Sequence, residues 1–97
     1  MKKIFISYAH ADKKIIQPIV RDLQKSGFNI WIDISKLKGG LLWSKEIANA
    51  INECDFFILC ISSASIASDN VRREVDLAYQ KKENNYPITF RRNSHFF

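Results

Sequence analysis

The chain is poor in the residues that mark specialised classes of protein. Its 97 residues include three glycines, two prolines and two cysteines. So little glycine and proline excludes a collagen-like or low-complexity chain. The cysteines, Cys54 and Cys60, form neither a CxxC pair nor a zinc-binding spacing with histidine. We therefore expect reduced thiols in an intracellular protein, and no metal site.

Long apolar segments are also lacking. The apolar stretch that follows Lys2 and Lys3 runs only from Ile4 to Ala9, which is too short for a secretory signal. No segment reaches the ~20 apolar residues that a membrane-spanning helix needs. These absences predict a cytoplasmic protein without a membrane contact.

Positively charged residues are in modest excess, which gives a net charge of +5. The basic residues occur as scattered pairs that acids interrupt, and no helix carries a continuous basic stripe with interleaved aromatics. This pattern is typical of a mixed, solvated surface, so we expect no nucleic-acid partner. A hydrophobic content of 46% is ordinary for one globular domain.

Strand-like and helix-like segments alternate along the chain. Apolar, β-branched and aromatic runs predict strands at residues 4–8, 28–34, 56–61 and 86–90. Apolar residues at helical spacing predict helices between Asp12 and Gly27, at residues 44–52 and at residues 70–83. This alternation predicts an α/β fold with a parallel sheet. Ligands of such sheets bind at the carboxyl ends of the strands, which here lead into residues 7–11, 33–43 and 62–69.

The end of the chain departs from this pattern. Residues 1–90 form the predicted domain, whereas the tail of residues 91–97 (RRNSHFF) shows neither strand alternation nor a helical face. A doubly wound sheet usually continues with another αβ unit, which we expect to be missing or truncated here. We interpret the end either as a truncation or as a sheet edge that a partner covers.

Glu74 is the leading candidate for a chemical role. At about 100° per residue, it shares a helix face with Val71, Val75 and Ala78. A carboxylate on a largely apolar face near strand ends is a plausible functional acid. The alternative is a glutamate at the rim of the helix that reaches solvent or pairs with a neighbouring arginine or lysine.

Five further residues lie at predicted strand ends, at a helix start or in the glycine-containing loop. Asp33 is suited to orienting a ribose hydroxyl, or to forming a local Asx-turn. Tyr8 and Trp43 offer aromatic faces for a nucleobase or nicotinamide ring, although Trp43 is equally suited to packing the next helix. Ser7 and Ser68 are potential donors to phosphate or ribose oxygens, but serines at such positions usually act as caps.

Standard catalytic and cofactor motifs are missing from the sequence. It contains no Walker A sequence, GxGxxG, GxSxG or HExxH. His10 and His95 are too isolated to suggest a metal site.

Four segments taken together resemble a TIR (Toll/interleukin-1 receptor) domain of the bacterial type. Residues 5–12, FISYAHAD, resemble the first motif of that family. Residues 31–33, WID, followed by two glycines and Trp43, resemble the second strand and the loop after it. Residues 54–62 resemble the third strand of the family. The segment from Ser68 to Glu74, with a serine six residues before the glutamate, resembles the third helix.

The resemblance implies a flavodoxin-like, three-layer α/β/α fold and an NAD+ hydrolase. Many members cleave the nicotinamide–ribose bond, some with a cyclic ADP-ribose product, and self-association activates them in bacterial immune signalling. By resemblance Glu74 would be catalytic. The residues expected near the nucleotide are Ser7, Tyr8, Asp33, Trp43 and Ser68. NAD would be the substrate, and no cofactor is implied.

Two departures from the family pattern keep other functions open. Asn70 stands four residues before Glu74, where enzymatic members often have an aromatic residue. The final αβ unit is also expected to be missing. One alternative is a non-catalytic adaptor that contacts copies of itself or other TIR domains. A second alternative is a sensor that binds NAD without cleaving it.

Overall fold

The computed structural model describes residues 2–32 and 45–83 and the backbone of residues 89–94. Within these ranges, parallel strands alternate with helices. In chain order the elements are β1 (Lys3–Ser7), α1 (Lys13–Lys25), β2 (Asn29–Trp31), α2 (Lys45–Glu53), β3 (Phe56–Ile61), α3 (Ser63–Ile66), α4 (Asp69–Glu83) and β4 (Thr89–Ser94). The predicted alternation of strands and helices is confirmed.

The sheet is centred on β1 and β3. Its strand order is β2-β1-β3-β4, and all three neighbouring pairs are parallel. The chain places β2 on one side of β1 and β3 on the other, so the order in which strands are added reverses between β1 and β3. At the carboxyl ends of these two strands, Ser7 pairs with Leu59. A crevice at the carboxyl ends of two such strands is where open α/β sheets bind ligands. The strand order is also that of a flavodoxin-like sheet, so the expected fold is confirmed.

Two hydrophobic cores lie on opposite faces of the sheet. The core on the α1 face contains Ile4, Ile6, Tyr8, Ile16 and Cys60. The core on the α2 and α4 face contains Phe5, Ile47, Ile51, Cys54, Phe57 and Ala78. Because side chains alternate along a strand, Ser7 shares the second face with Phe5. Helices thus cover both faces of the sheet, as a three-layer fold requires.

Helix α1 ends at a glycine, as predicted. Gly27 has a φ of +93°, a conformation that side chains larger than hydrogen disfavour. Its N–H donates to the carbonyl of Gln24 at 3.0 Å, and the N–H of Phe28 donates to the carbonyl of Leu23 at 3.2 Å. These two bonds form a Schellman motif, which turns the chain directly into β2. The helix continues through Pro18.

The serine-rich connection after β3 contains a short helix that the sequence analysis did not predict. The Oγ of Ser62 accepts a bond from the N–H of Ser65 at 3.1 Å. In return, the N–H of Ser62 donates to the Oγ of Ser65 at 2.8 Å. This reciprocal capping box stabilises α3.

Two strands differ by more than one residue from their predicted bounds. β2 covers Asn29–Trp31, whereas residues 28–34 were expected, of which 33 and 34 lie outside the described residues. β4 was expected at residues 86–90, of which 86–88 lie outside the described residues, but it continues to Ser94, four residues into the predicted tail. The reason is its pairing with β3, which extends along the whole length of that strand.

A hydrogen bond links the loops that follow β1 and β3. Asp12 occupies the predicted N-cap position of α1, but its side chain makes no capping bond. Instead, the Oγ of Ser62 donates to Oδ2 of Asp12 at 2.5 Å. A hydroxyl bonded to a carboxylate is stronger than a neutral pair, so this contact holds the two loops together at the carboxyl edge of the sheet.

Lys81 is a buried lysine that closes the end of α2. Its Nζ donates to the carbonyl of Cys54 at 2.6 Å and to that of Ile51 at 3.4 Å. The residue is only 8% exposed. The last carbonyls of a helix lack partners within the helix, and a positive charge there also complements the helix dipole. Lys81 thus connects α4 to α2.

Replacing Lys81 tests this connection. Lys81→Met keeps most of the apolar stem but removes the donor to the buried carbonyl of Cys54, so we expect a loss of about 1–3 kcal/mol in the free energy of unfolding. Urea unfolding followed by circular dichroism measures the loss. The control is Lys14→Met at an exposed position of α1, with an expected change within about 0.5 kcal/mol. Equal effects of the two variants would contradict the role of Lys81.

The thiol of Cys54 gives the fold a dependence on alkaline pH. Burial raises the pKa of this thiol, and the nearby charge of Lys81 opposes that shift. The Sγ donates to the carbonyl of Ile51 at 3.1 Å. The protonated thiol is therefore favoured in the folded chain, and its contribution to stability is present below the ordinary thiol pKa and is lost as the pH rises.

Cys54→Ala tests that dependence, because alanine does not titrate. We expect the difference in unfolding free energy between parent and variant to be constant up to about pH 8. At higher pH the thiol ionises in the unfolded chain first, so the advantage of the parent should decrease. Urea unfolding at several pH values from neutral to alkaline measures the difference. A difference that stays constant throughout would refute the expectation.

Candidate active site

Glu74 lies in the interior of the protein, on the face of α4 that packs against the sheet. That face consists of Val71, Glu74, Ala78 and Lys81. The side chain of Glu74 is 0% exposed, so the predicted position on an apolar face is confirmed. The alternative of a rim glutamate that reaches solvent is wrong, because the helix turns this residue fully inward.

Ser7 bonds directly to Glu74. The Oγ of Ser7 donates to Oε1 of Glu74 at 2.6 Å, within the range of a strong hydroxyl–carboxylate bond. Ser7 is also 0% exposed. Ser7 was expected near the nucleotide and Glu74 was expected to be catalytic, and the fold brings them together from positions 67 residues apart. The bond itself was not predicted.

Ser68 determines where α4 begins. Its Oγ accepts a bond from the N–H of Val71 at 3.3 Å, and its carbonyl accepts one from the N–H of Arg72 at 3.1 Å. The interpretation of Ser68 as a helix cap is therefore confirmed. Starting the helix here places Glu74 as its sixth residue, on the inward face. A contact between Ser68 and the nucleotide stays a prediction.

Tyr8 lies on the opposite side of the sheet from Ser7. It is 0% exposed and belongs to the core on the α1 face, with Ile6 and Ile16. Successive side chains point to opposite faces of a strand, which separates Tyr8 from the face that holds Glu74. The structure gives Tyr8 a packing role, and its contact with a nucleotide stays a prediction.

Asp33 and Trp43, the other two expected nucleotide contacts, lie outside the described residues. The nearest described aromatic residue to Asp33 along the chain is Trp31, which stacks on Phe5 with ring centroids 5.1 Å apart.

Sequence reasoning missed the pairing of Asp12 with Ser62. An acid at a helix start and a serine at a strand end, on loops that meet at one sheet edge, are the signal that indicates such a pair.

An apolar groove of about 380 Å³ opens beside the carboxyl end of β3. Its lining residues are Leu59, Ile61, Ser65, Ile66, Val71, Arg72, Val75 and Asp76. Glu74 does not line this groove, although four other residues of α4 do. Contact between the Glu74 carboxylate and a substrate therefore requires the side chain or its covering neighbours to move.

Two further properties concern residues 2–32 and 45–83. No group of three or more histidine, cysteine, aspartate or glutamate side chains in these ranges is arranged to hold a metal ion. Likewise, none of the helices there has the length and apolar character required to cross a membrane.

Comparison with known proteins identifies relatives of the chain. The family model described as TIR domain matches residues 4–94. The chain is 27% identical over 86 residues to the 2′ cyclic ADP-D-ribose synthase AbTIR of Acinetobacter baumannii (strain 1295743). That match covers 88% of this chain and 32% of AbTIR, so the chain spans about a third of the length of this relative.

Solved structures share the fold at low sequence identity. The TIR domains of the activated Roq1 resistosome, which recognises the pathogen effector XopQ, match with a TM-score of 0.84 and 19% identity, over 100% of this chain and 59% of that one. The TIR domain of the Toll-related receptor TRR-2 from Hydra magnipapillata matches with a TM-score of 0.68 and 18% identity, over 90% of this chain and 66% of that one. The CMP N-glycosidase BcmB of Clostridium botulinum matches with a TM-score of 0.59 and 15% identity, over 95% of this chain and 89% of that one.

The resemblance that the four motifs indicated is thus borne out by the whole domain. Since the family model matches nearly the full length of the chain, this protein belongs to the TIR domain family.

Proposed function

We propose that this TIR domain hydrolyses NAD+ at the nicotinamide–ribose bond, with Glu74 as the catalytic carboxylate. The observation that carries the proposal is the bond between Glu74 and Ser7 at the carboxyl end of a central strand. A carboxylate in the interior beside the switch point of the sheet is suited to chemistry on a ligand there. The relative AbTIR is a 2′ cyclic ADP-D-ribose synthase. This supports NAD+ as the substrate, because ADP-ribose is the part of NAD+ that remains when nicotinamide leaves.

One carboxylate is sufficient for this reaction. Nicotinamide departs as a neutral ring from a positively charged pyridinium, so it needs no general acid. Ordinary glycosides have poorer leaving groups and call for two carboxylates. The remaining task is to hold the ribose diol and to stabilise the positive charge that develops at the anomeric carbon, which a preorganised carboxylate does electrostatically.

Hydrolysis of the nicotinamide–ribose bond needs water as its only co-reactant. The carbon–nitrogen bond between ribose and nicotinamide breaks, and its electron pair neutralises the pyridinium nitrogen. Water adds to the anomeric carbon and loses a proton, which gives ADP-ribose. Addition of a hydroxyl of the same molecule instead of water would give a cyclic isomer.

Access to Glu74 is the step on which we expect regulation to act. The carboxylate is fully covered, so a rearrangement has to precede catalysis. We assign this rearrangement to self-association of the domain, and we place the reaction in the cytoplasm, in bacterial immune signalling. The Roq1 structure, in which TIR domains form part of a resistosome, supports assembly as the active state.

Glu74→Gln tests the catalytic assignment. Glutamine keeps the shape of the side chain and an oxygen that accepts from Ser7, but it loses the negative charge. We expect nicotinamide release from NAD+ to fall at least about 100-fold, equivalent to about 3 kcal/mol in the transition state. Chromatography of the products of concentrated protein incubated with NAD+ measures the loss.

The matched control is Glu83→Gln, which neutralises an exposed glutamate at the other end of α4. It should release nicotinamide at the rate of the parent. Circular dichroism spectra establish that both variants are folded. Equal turnover in the Glu74 variant and the parent would refute the assignment.

A second candidate function is a binding module for other TIR domains without catalysis. Two observations favour it: the complete burial of Glu74 and the presence of Asn70 in place of an aromatic residue. This function predicts no NAD+ turnover at any protein concentration. Substitutions in residues 39–43 should then still weaken self-association, which analytical ultracentrifugation measures. Concentration-dependent turnover in the parent would exclude it.

A further inference from the structure

Ser7 has a geometry that differs from that of a substrate contact. It ends β1, a central strand that pairs with β2 from Lys3 to Phe5 and with β3 from Ile4 to Ser7. Its hydroxyl is one bond beyond Cβ, and the residue is 0% exposed. A short, fully buried side chain on a strand whose backbone is paired with β3 has little reach toward a ligand. Glu74, with a longer side chain on a helix, is able to change its direction.

We propose that Ser7 is a positioning residue, which holds Oε1 of Glu74 and sets the direction of the carboxylate instead of touching the substrate. This inference rests on the proposed NAD+ hydrolysis and assigns Ser7 a role in that reaction. The 2.6 Å bond between the two side chains carries it. Ser65, which is also buried, uses its hydroxyl on the backbone of Ser62 at the start of α3.

The physical reason for such a residue lies in the freedom of a glutamate side chain. Three rotatable bonds separate the carboxylate from the backbone of α4, and catalysis depends on the placement of charge to within about 1 Å. A donor attached to the central strand removes this freedom before substrate binds. The same donor favours the ionised carboxylate, which is the form that stabilises positive charge at the anomeric carbon.

The test compares Ser7→Ala with the parent and with Ser26→Ala in NAD+ hydrolysis. Loss of a bond to a charged group predicts that kcat for Ser7→Ala falls about 10- to 100-fold. KM should stay within about twofold, because Ser7 does not bind substrate. Ser26→Ala, which loses the bond from its hydroxyl to the carbonyl of Asp22 at the end of α1, should keep the kcat of the parent.

The pH profile separates positioning from a purely structural effect. Without the Ser7 donor the protonated form of the carboxyl is more favoured, so the acidic limb of the kcat profile should move to higher pH in Ser7→Ala. An unchanged kcat or an unchanged acidic limb in a folded Ser7→Ala, with an active parent, overturns the inference and leaves the proposed function standing. An inactive parent overturns both.

A second pair of variants covers the case in which Ser7→Ala does not fold. Ser7→Thr keeps the hydroxyl, whereas Ser7→Cys has nearly the size of serine and only a weak donor. The kcat of the threonine variant should be close to that of the parent, and the kcat of the cysteine variant should lie well below it. Equal kcat values for the two folded variants would overturn the positioning role.

Discussion

A carboxylate without exposed surface is the constraint on which the candidate site depends. Burying an ionisable group is costly unless hydrogen bonds compensate for lost water, and the hydroxyl of Ser7 supplies one to Glu74. That bond requires β1 to end beside α4 and requires α4 to start at Ser68. The sheet order, the cap and the inward face of the helix are thus all parts of one arrangement.

The sequence predicted this arrangement wherever a short-range pattern determines it. Helical spacing placed Glu74 on the inward face of α4, and Gly27 marked the end of α1. Long-range contacts were not accessible in the same way. Lys81 looks like any lysine near a helix end, but the folded chain buries it against the carbonyls that end α2. Asp12 looks like a capping residue, yet a partner 50 positions away takes its carboxylate.

The β4 strand illustrates why boundaries in α/β proteins are difficult to predict. Its residues lack a clear alternation of apolar and polar side chains, but its backbone pairs with β3 as far as Ser94. Pairing between parallel strands is decided by the neighbour, which is distant in sequence. The same fold also occurs in the receptor TRR-2 and in the glycosidase BcmB, so architecture alone does not determine chemistry.

The contact between Asp12 and Ser62 has a mechanical consequence for the crevice. Connections that leave neighbouring strands can move independently of each other. Here the hydrogen bond couples them, so one connection cannot be displaced unless the bond breaks or the other connection follows. A ligand that enters at this edge therefore meets two connections that move together as long as this bond is intact.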